Sequence, residues 1–308
     1  MSKIPKIVVI LGPTASGKTN LGVVLAREFN GEIINADSRQ VYKEMDVATA
    51  KPHKDVGCKK GEYVFQGITH HLMNIVKPNE RFTLSDFKER ASLVIADILS
   101  RGKLPIVVGG TGLYIWSLVD NLDIPKVKPN IKLRKSFDKK TLDELVKLLK
   151  NIDQATAKKI DLKNRRRVIR ALEVAISSGE SFVAQTTKSA PLYDVLQIGI
   201  KCDREKLYQN INSRIDQQMQ SGLVEETKKL AKKYSWDLPS MSSIGYKQIG
   251  SYLRGEMSLA DAVERFKRDT RRYAKRQETW FKRDKRIVWI PLEDFDGAKL
   301  IVERYLVT

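Results

Sequence analysis

The sequence has few of the side chains that build disulfide frameworks or metal cages. Its 308 residues include two cysteines, Cys58 and Cys202, which do not form a C-x-x-C pair. Of its three histidines, His53, His70 and His71, the adjacent two lack the helical spacing of a zinc-binding pair. We therefore expect neither a disulfide framework nor a zinc site. If the protein transfers protons, the scarcity of histidine favours a carboxylate as the base.

Long hydrophobic runs are absent from the sequence as well. No apolar run approaches the length of a membrane-spanning helix, so we expect no membrane association. The first strand-like run, at residues 7–11, begins close to the N-terminus and leads directly into a motif. This arrangement leaves no room for a signal or transit peptide, and we expect a cytoplasmic protein.

Acidic residues are also few in comparison with basic ones. The chain has 56 lysines and arginines against 37 acids, a formal net charge of +19 and a pI near 9.7. The excess is clustered, with seven basic residues against one acid at 158–170 and eleven against four at 264–286. Clustering of this kind favours a polyanionic partner over a protein that is merely basic.

Short β-rich runs alternate with helical patterns along most of the chain. This alternation predicts an α/β fold with a parallel sheet. A helix is expected from Gly17 to about Phe29, and another from a capping box at Thr83 to about Arg101. The predicted strands are 7–11, 32–35, 105–108, 193–200 and 286–290.

Strand signals disappear between about 120 and 190. Thr141 opens one helical pattern there, and Asn164 caps another that ends at Gly179. The sequence therefore predicts a P-loop NTPase-like parallel-sheet core with a helical insertion domain. The predicted core comprises residues 1–119 and 191–308, and the insertion comprises residues 120–190.

The most specific motif lies between the first strand and the first helix. It matches the phosphate-binding P-loop, G-x-x-x-x-G-K-[ST]. Its backbone N–H groups would surround a phosphate, Lys18 would meet the outer phosphate oxygens, and Thr19 would hold Mg²⁺. The predicted phosphate-binding residues are Gly12, Pro13, Thr14, Ala15, Ser16, Gly17, Lys18 and Thr19.

Two further loops should lie beside the P-loop at the carboxyl edge of the sheet. Asp37 follows the second strand, and Gly109-Gly110-Thr111 follows the third. A nucleotide-hydrolysing motor normally carries an acidic residue at the latter position to help hold Mg²⁺, and none is present. This weakens the case for a motor protein but leaves a small-molecule kinase open.

Seven segments of the chain follow one another from residue 12 to residue 281: GPTASGKT, INADSRQVY, TAKP, VVGGTGLY, RRRVIRALEV, SSIGYKQ and AKRQETWF. Together they resemble the tRNA dimethylallyltransferase (tRNA isopentenyl transferase) family, in its bacterial form. The resemblance covers nearly the whole chain.

The resemblance implies that the P-loop binds the pyrophosphate of dimethylallyl pyrophosphate with Mg²⁺, rather than ATP. It implies that Asp37 is the general base on the adenine amine and that Arg214 is a second pyrophosphate ligand. Thr111 is implied as a further catalytic residue that meets the target nucleotide.

The resemblance further implies that the partner is the anticodon stem-loop of tRNA, with the adenine just 3′ of the anticodon as acceptor. Many bacterial members have an arginine where this chain has Ser242, so the chain departs from the family pattern at this position. We expect a monomer. The implied tRNA-contacting residues are Asp37, Ser38, Arg39, Gln40, Thr111, Arg166, Arg167, Val168, Ile169, Arg170, Ser242, Ser243, Ile244, Gly245, Tyr246 and Lys247.

Three alternatives stay open from the sequence. A P-loop kinase of a small metabolite explains residues 12–19 but not the basic insertion. A prenyltransferase acting on free adenine nucleotides would not need an extensive RNA-binding surface. A non-catalytic RNA-binding module would leave Asp37 and Arg214 without a function.

Overall fold

The computed structural model describes residues 4–59 and 61–308. Residues 1–3 and Lys60, which fall within the predicted core range 1–119, lie outside the described residues. The chain divides into two compact units. The first runs up to Leu118 and resumes at Leu192–Thr308, and the second is Val119–Pro191.

The first unit is built on a seven-stranded sheet in the order β3-β4-β2-β5-β1-β6-β7. Every pair of neighbours is parallel except the β3–β4 hairpin. All five predicted strands are present, which confirms the α/β fold with a largely parallel sheet, whereas the β3–β4 hairpin was not predicted. The strands are β1 Lys6–Leu11, β2 Gly31–Asn35, β3 Val64–Phe65, β4 Ile68–His71, β5 Leu104–Gly109, β6 Asp194–Lys201 and β7 Val288–Pro291.

Helices cover the sheet, and the central strands are therefore buried along most of their length. Val8 and Ile10 of β1 have no exposed surface, and each such side chain contributes about 1.5–3 kcal/mol through burial. The helix α2 begins at the predicted capping box, where the Thr83 side chain accepts from the Asp86 N–H. The helices of this unit are α1 Lys18–Glu28, α2 Leu84–Ser100, α3 Gly112–Val119, α8 Arg204–Gln220, α9 Leu223–Lys233, α10 Tyr246–Leu253, α11 Leu259–Phe281 and α12 Phe295–Val307. Among the described residues, no helix is long and apolar enough to cross a membrane.

The second unit is helical and has its own small core, which includes Leu145, Val168 and Leu172. At its centre Glu173 is fully buried and accepts hydrogen bonds from the side chains of Arg134 (2.8 and 2.7 Å) and Arg170 (2.6 Å). Burial alone would raise the pKa of this carboxyl, but these hydrogen bonds outweigh it and lower the pKa to about 2. The helices of this unit are α4 Ile131–Asp138, α5 Leu142–Ile152, α6 Gln154–Ala157 and α7 Arg165–Ser178.

The sheet brings three loops to one edge. In the parallel register Leu11 of β1 lies beside Gly109 of β5, and Asn35 of β2 lies beside Val108. The segments that follow these strands therefore meet at the carboxyl edge, where open α/β sheets bind their ligands.

Candidate active site

The loop between β1 and α1 has the backbone of an anion cradle. Ala15 (φ 61°) and Gly17 (φ 75°) both adopt the left-handed conformation, which turns successive N–H groups towards one side. Gly17 begins α1 without a side-chain cap, so the first N–H groups of the helix stay available to a ligand. Phosphate binding by this loop stays a prediction, and the available N–H groups are the observation in its favour.

Lys18 is held at the centre of this loop, where its Nζ donates to the Pro13 carbonyl oxygen at 2.5 Å. Burial lowers the pKa of Lys18 to about 7; the charge of Asp37 opposes this effect, and the charge of Arg214 adds to it. Burial also lowers the pKa of Arg214, while Asp37 again raises it. The three side chains therefore share one electrostatic environment, in which an added anion would be strongly favoured.

Asp37 is fixed by the short segment that follows β2. Its N–H donates to Oδ1 of the buried Asn35 at 3.0 Å, and its own Oδ1 accepts from the Arg39 N–H at 2.8 Å. The Nδ2 of Asn35 in turn donates to the Leu72 carbonyl oxygen at 3.1 Å. The carboxylate is therefore held in place and still has lone pairs available for another donor.

The loop after β5 packs directly against this segment. A Cβ on Gly109 would lie 2.3 Å from the Ala36 carbonyl oxygen, so only glycine fits there. The hydroxyl of Thr111 accepts from the Ser38 N–H at 3.0 Å and donates to the Ser38 Oγ at 3.3 Å. Thr111 thereby fixes the backbone next to Asp37.

The P-loop, Asp37 and Arg214 line one open cavity of about 570 Å³. Gln40 also lies on its wall, whereas the described positions of Ser38, Arg39 and Thr111 are beside the cavity. The predicted residues that line it are Thr14, Ala15, Ser16, Gly17, Lys18, Thr19, Asp37, Gln40 and Arg214.

The cavity also contains residues that the sequence did not single out. The ammonium of Lys51 is almost fully buried and donates to Asp46 (2.7 Å), to the Tyr42 carbonyl oxygen and to Asn74. Gln277 contributes its side-chain amide to the wall from α11. Both residues lie in segments that carry the family resemblance, TAKP and AKRQETWF, but their individual contacts could not be predicted, because no local pattern connects the segments that meet here.

The predicted RNA-binding segment 166–170 forms part of α7. Arg166 and Arg167 are exposed, whereas Val168 is fully buried in the core of the second unit. Arg170 donates to Glu173 at 2.6 Å and to the Val127 carbonyl oxygen at 3.0 Å. Val168 is therefore a core residue and Arg170 a structural one, and only the two exposed arginines present unbound cations in this segment.

The second predicted RNA-binding segment, 242–247, leads into α10. Ser242 and Lys247 are exposed, but Tyr246 is fully buried and its hydroxyl donates to Glu226 at 2.6 Å. Gly245 has a φ of 97° and leaves space for no side chain, because a Cβ there would lie 2.8 Å from Ala48. The side chain of Tyr246 therefore anchors the segment, and its exposed neighbours are the positions open to a partner.

The fold and the cavity define a P-loop protein whose anion pocket faces a carboxylate at the carboxyl edge of the sheet. A family model described as IPP transferase matches residues 40–284, and one described as isopentenyl transferase matches residues 5–70. This chain belongs to the IPP transferase family.

Full-length relatives and solved structures support the same assignment. The chain is 45% identical to a tRNA dimethylallyltransferase of Acetivibrio thermocellus, over 98% of this chain and 97% of the relative. It is similar to a tRNA isopentenylpyrophosphate transferase structure from Bacillus halodurans, with a TM-score of 0.72, 36% identity, and 98% and 95% of the two chains covered. It is also similar to a eukaryotic dimethylallyltransferase acting on tRNA, with a TM-score of 0.78, 29% identity, and 98% and 78% covered.

Proposed function

We propose that this chain transfers the dimethylallyl group of dimethylallyl pyrophosphate to the N6 amine of an adenine in tRNA, just 3′ of the anticodon. The observation that carries this proposal is a single cavity in which an anion cradle and a fixed carboxylate face each other. The acceptor follows from the tRNA dimethylallyltransferase relatives, which match this chain along nearly its whole length.

The cradle suits the leaving group of this reaction. The bond between N6 and the allylic C1 forms as the bond between C1 and the pyrophosphate oxygen breaks, and the electron pair of the broken bond leaves with pyrophosphate. Lys18, Arg214 and the N–H groups of the P-loop stabilise the charge that develops on that oxygen. An allylic carbon tolerates positive charge, which compensates for the weak nucleophilicity of the adenine amine.

Asp37 suits the role of the general base. Its carboxylate lies in the same cavity, and the proton that leaves N6 passes to its free oxygen. Thr111 acts by holding the Ser38 N–H, so that the Asp37 carboxylate keeps its direction. A carboxylate base also agrees with a site whose described lining contains one histidine, His53, and no histidine pair.

The donor set fits Mg²⁺, which is included in this proposal. Thr19 supplies a hydroxyl oxygen next to Lys18 in the cavity, and pyrophosphate supplies further oxygens. Among the described residues no cluster of three or more His, Cys, Asp or Glu forms a complete cage. A partial protein site completed by phosphate oxygens and water is typical of Mg²⁺. When bound, the metal would neutralise charge on the departing pyrophosphate.

The nucleic-acid partner is supported by the exposed cations of the predicted segments. Arg166, Arg167 and Lys247 are available to phosphates, and the adenine would leave its stack to reach the cavity. An anticodon loop is already unpaired, so this step costs little there. A tRNA substrate is consistent with a cytoplasmic protein, and a monomer is part of this proposal.

A transfer assay with three arms separates this function from its alternatives. The protein is mixed with Mg²⁺ and labelled dimethylallyl pyrophosphate, with either unmodified tRNA or free AMP as acceptor, and in a third arm with labelled ATP and tRNA. We expect label in tRNA in the first arm alone. Label in AMP would favour a free-nucleotide prenyltransferase, and phosphoryl transfer from ATP without prenyl transfer would favour a kinase.

A further inference from the structure

The side chain of Gln277 connects the two glycine loops of the site. Gln277 lies near the end of α11 and is 6% exposed. Its Oε1 accepts from the Thr14 N–H at 2.9 Å, and its Nε2 donates to the Gly110 carbonyl oxygen at 2.9 Å. Both ends of the amide are therefore used, one on the P-loop and one on the loop after β5.

The fit around this amide is tight. A Cβ on Gly110 would lie 2.2 Å from the Gln277 Nε2, so a side chain at position 110 would displace the amide from this position. The two loops follow β1 and β5, which are neighbouring parallel strands. The backbone pairing of the two strands ends at Leu11 and Gly109. Beyond that point the Gln277 amide joins the two loops through its hydrogen bonds.

The connection continues to the proposed base. Gly110 precedes Thr111, whose hydroxyl accepts from the Ser38 N–H, and Ser38 follows Asp37. On its other side Gln277 holds Thr14 in the loop that surrounds the anion. One side chain thus connects the leaving-group cradle with the loop that holds the segment carrying the carboxylate.

We infer that Gln277 is a positioning residue, whose amide fixes the spacing between the pyrophosphate cradle and Asp37 through its hydrogen bonds to the two glycine loops. This inference rests on the proposed transfer reaction. Reaction rates depend steeply on such spacing, since a displacement of about 1 Å can cost about 100-fold. Loss of the amide should therefore slow the transfer step more than it weakens binding.

Two substitutions distinguish positioning from simple packing. Gln277→Met keeps the length of the side chain and removes both hydrogen bonds. Gln277→Glu keeps the acceptor for the Thr14 N–H, but when the introduced carboxylate is ionised it has no donor for the Gly110 carbonyl oxygen and repels it. When protonated, the introduced carboxyl can again donate to that oxygen and restore the bridge.

Gln197→Met is the matched control. Gln197 is 2% exposed on β6, and its Nε2 donates to Asp284 at 3.1 Å. Its substitution also removes a buried amide hydrogen bond but leaves both glycine loops unchanged. It should lower the thermal midpoint, because a buried hydrogen bond is lost. The transfer rate should stay within about twofold of wild type, because the lost bond does not connect the two glycine loops.

The test measures single-turnover transfer of label from saturating dimethylallyl pyrophosphate to saturating anticodon stem-loop RNA. Binding of each substrate and the thermal midpoint are recorded for every variant. We expect Gln277→Met to slow transfer by about 10- to 100-fold, with substrate affinities changed by less than about threefold. We expect the rate of Gln277→Glu, divided by the wild-type rate at the same pH, to rise about tenfold between about pH 8 and pH 6.

The outcomes separate this inference from the proposed function. If wild-type protein transfers label while folded Gln277→Met does so within about twofold of its rate, the positioning function is overturned. A Gln277→Glu ratio that does not change with pH would also overturn it. If wild-type protein transfers no label, the proposed function itself fails.

Discussion

We predict that Lys18 makes anion binding in the cavity depend on pH. Burial lowers its pKa from the usual 10.5 to about 7, although the charge of Asp37 acts in the opposite direction. At neutral pH about half of the free protein therefore carries an uncharged Lys18. A bound pyrophosphate stabilises the charged form, so that binding raises the pKa of the lysine and takes up a proton.

The size of this coupling follows from the two pKa values. If the bound pKa returns close to its usual value, Lys18 takes up about 0.5 proton at pH 7 and about 0.9 proton at pH 8. The complex binds more protons than the free protein, so rising pH weakens the complex. We expect this contribution to reduce the affinity for pyrophosphate by about fivefold between pH 7 and pH 8, and by nearly tenfold for each unit above about pH 8.

Isothermal titration calorimetry measures this uptake directly. Inorganic pyrophosphate with Mg²⁺ is titrated at about pH 8 into wild type and into Lys18→Arg, in two buffers with different heats of ionisation. Arginine stays charged, and proton exchange by pyrophosphate itself is common to both proteins. Wild type should take up about 0.9 proton more than the variant. Equal uptake in the two proteins would refute the reasoning.

Three further predictions concern the base, the RNA surface and the insertion. Asp37→Asn should slow transfer by about 10²- to 10⁴-fold with stem-loop affinity nearly intact, and normal turnover would exclude it as the base. The double variant Arg166→Gln with Arg167→Gln should bind RNA more weakly, and the slope of log binding constant against log salt concentration should fall in magnitude by about 2. The exposed control Arg304→Gln should keep the wild-type slope; equal slopes for the double variant and wild type would contradict the prediction. Glu173→Gln should destabilise the second unit by about 3 kcal/mol in thermal unfolding, because two arginines hold its carboxylate. The lowered pKa of Glu173 predicts that this stabilisation is present above about pH 4.5 and lost as pH falls through about 2. Equal thermal midpoints of wild type and Glu173→Gln at neutral pH would contradict this prediction.

The core strands were predictable because buried parallel strands read as continuous apolar runs. All five lie within two residues of their predicted bounds at each end. The hairpin Val64–Phe65 and Ile68–His71 was not predicted, because β3 has two residues and β4 contains two histidines. The strand β4 pairs with β2, and β3 pairs with β4 at the sheet edge; a local sequence pattern does not contain these contacts.

The lining of the cavity was predictable only where consecutive residues form a recognisable motif or directly follow a predicted strand. The P-loop has its conformation encoded in consecutive residues, and Asp37 follows a recognisable strand. By contrast, Gln277 meets the Thr14 N–H across 263 residues of sequence, and Tyr246 meets Glu226 through the packing of α9 and α10. The alternation of buried and exposed residues within segment 166–170 depends on the packing of α7 against α5, and within segment 242–247 it depends on the packing around α10.

The central claim is that the cavity holds a pyrophosphate leaving group opposite a base that activates an RNA amine. The most direct test compares pyrophosphate release with modification of the stem-loop, mapped by mass spectrometry after nuclease digestion. We predict one pyrophosphate released for each dimethylallyl group, with that group on the adenine 3′ of the anticodon. Pyrophosphate release without RNA modification, or consumption of ATP with prenyl diphosphate left intact, would contradict the account.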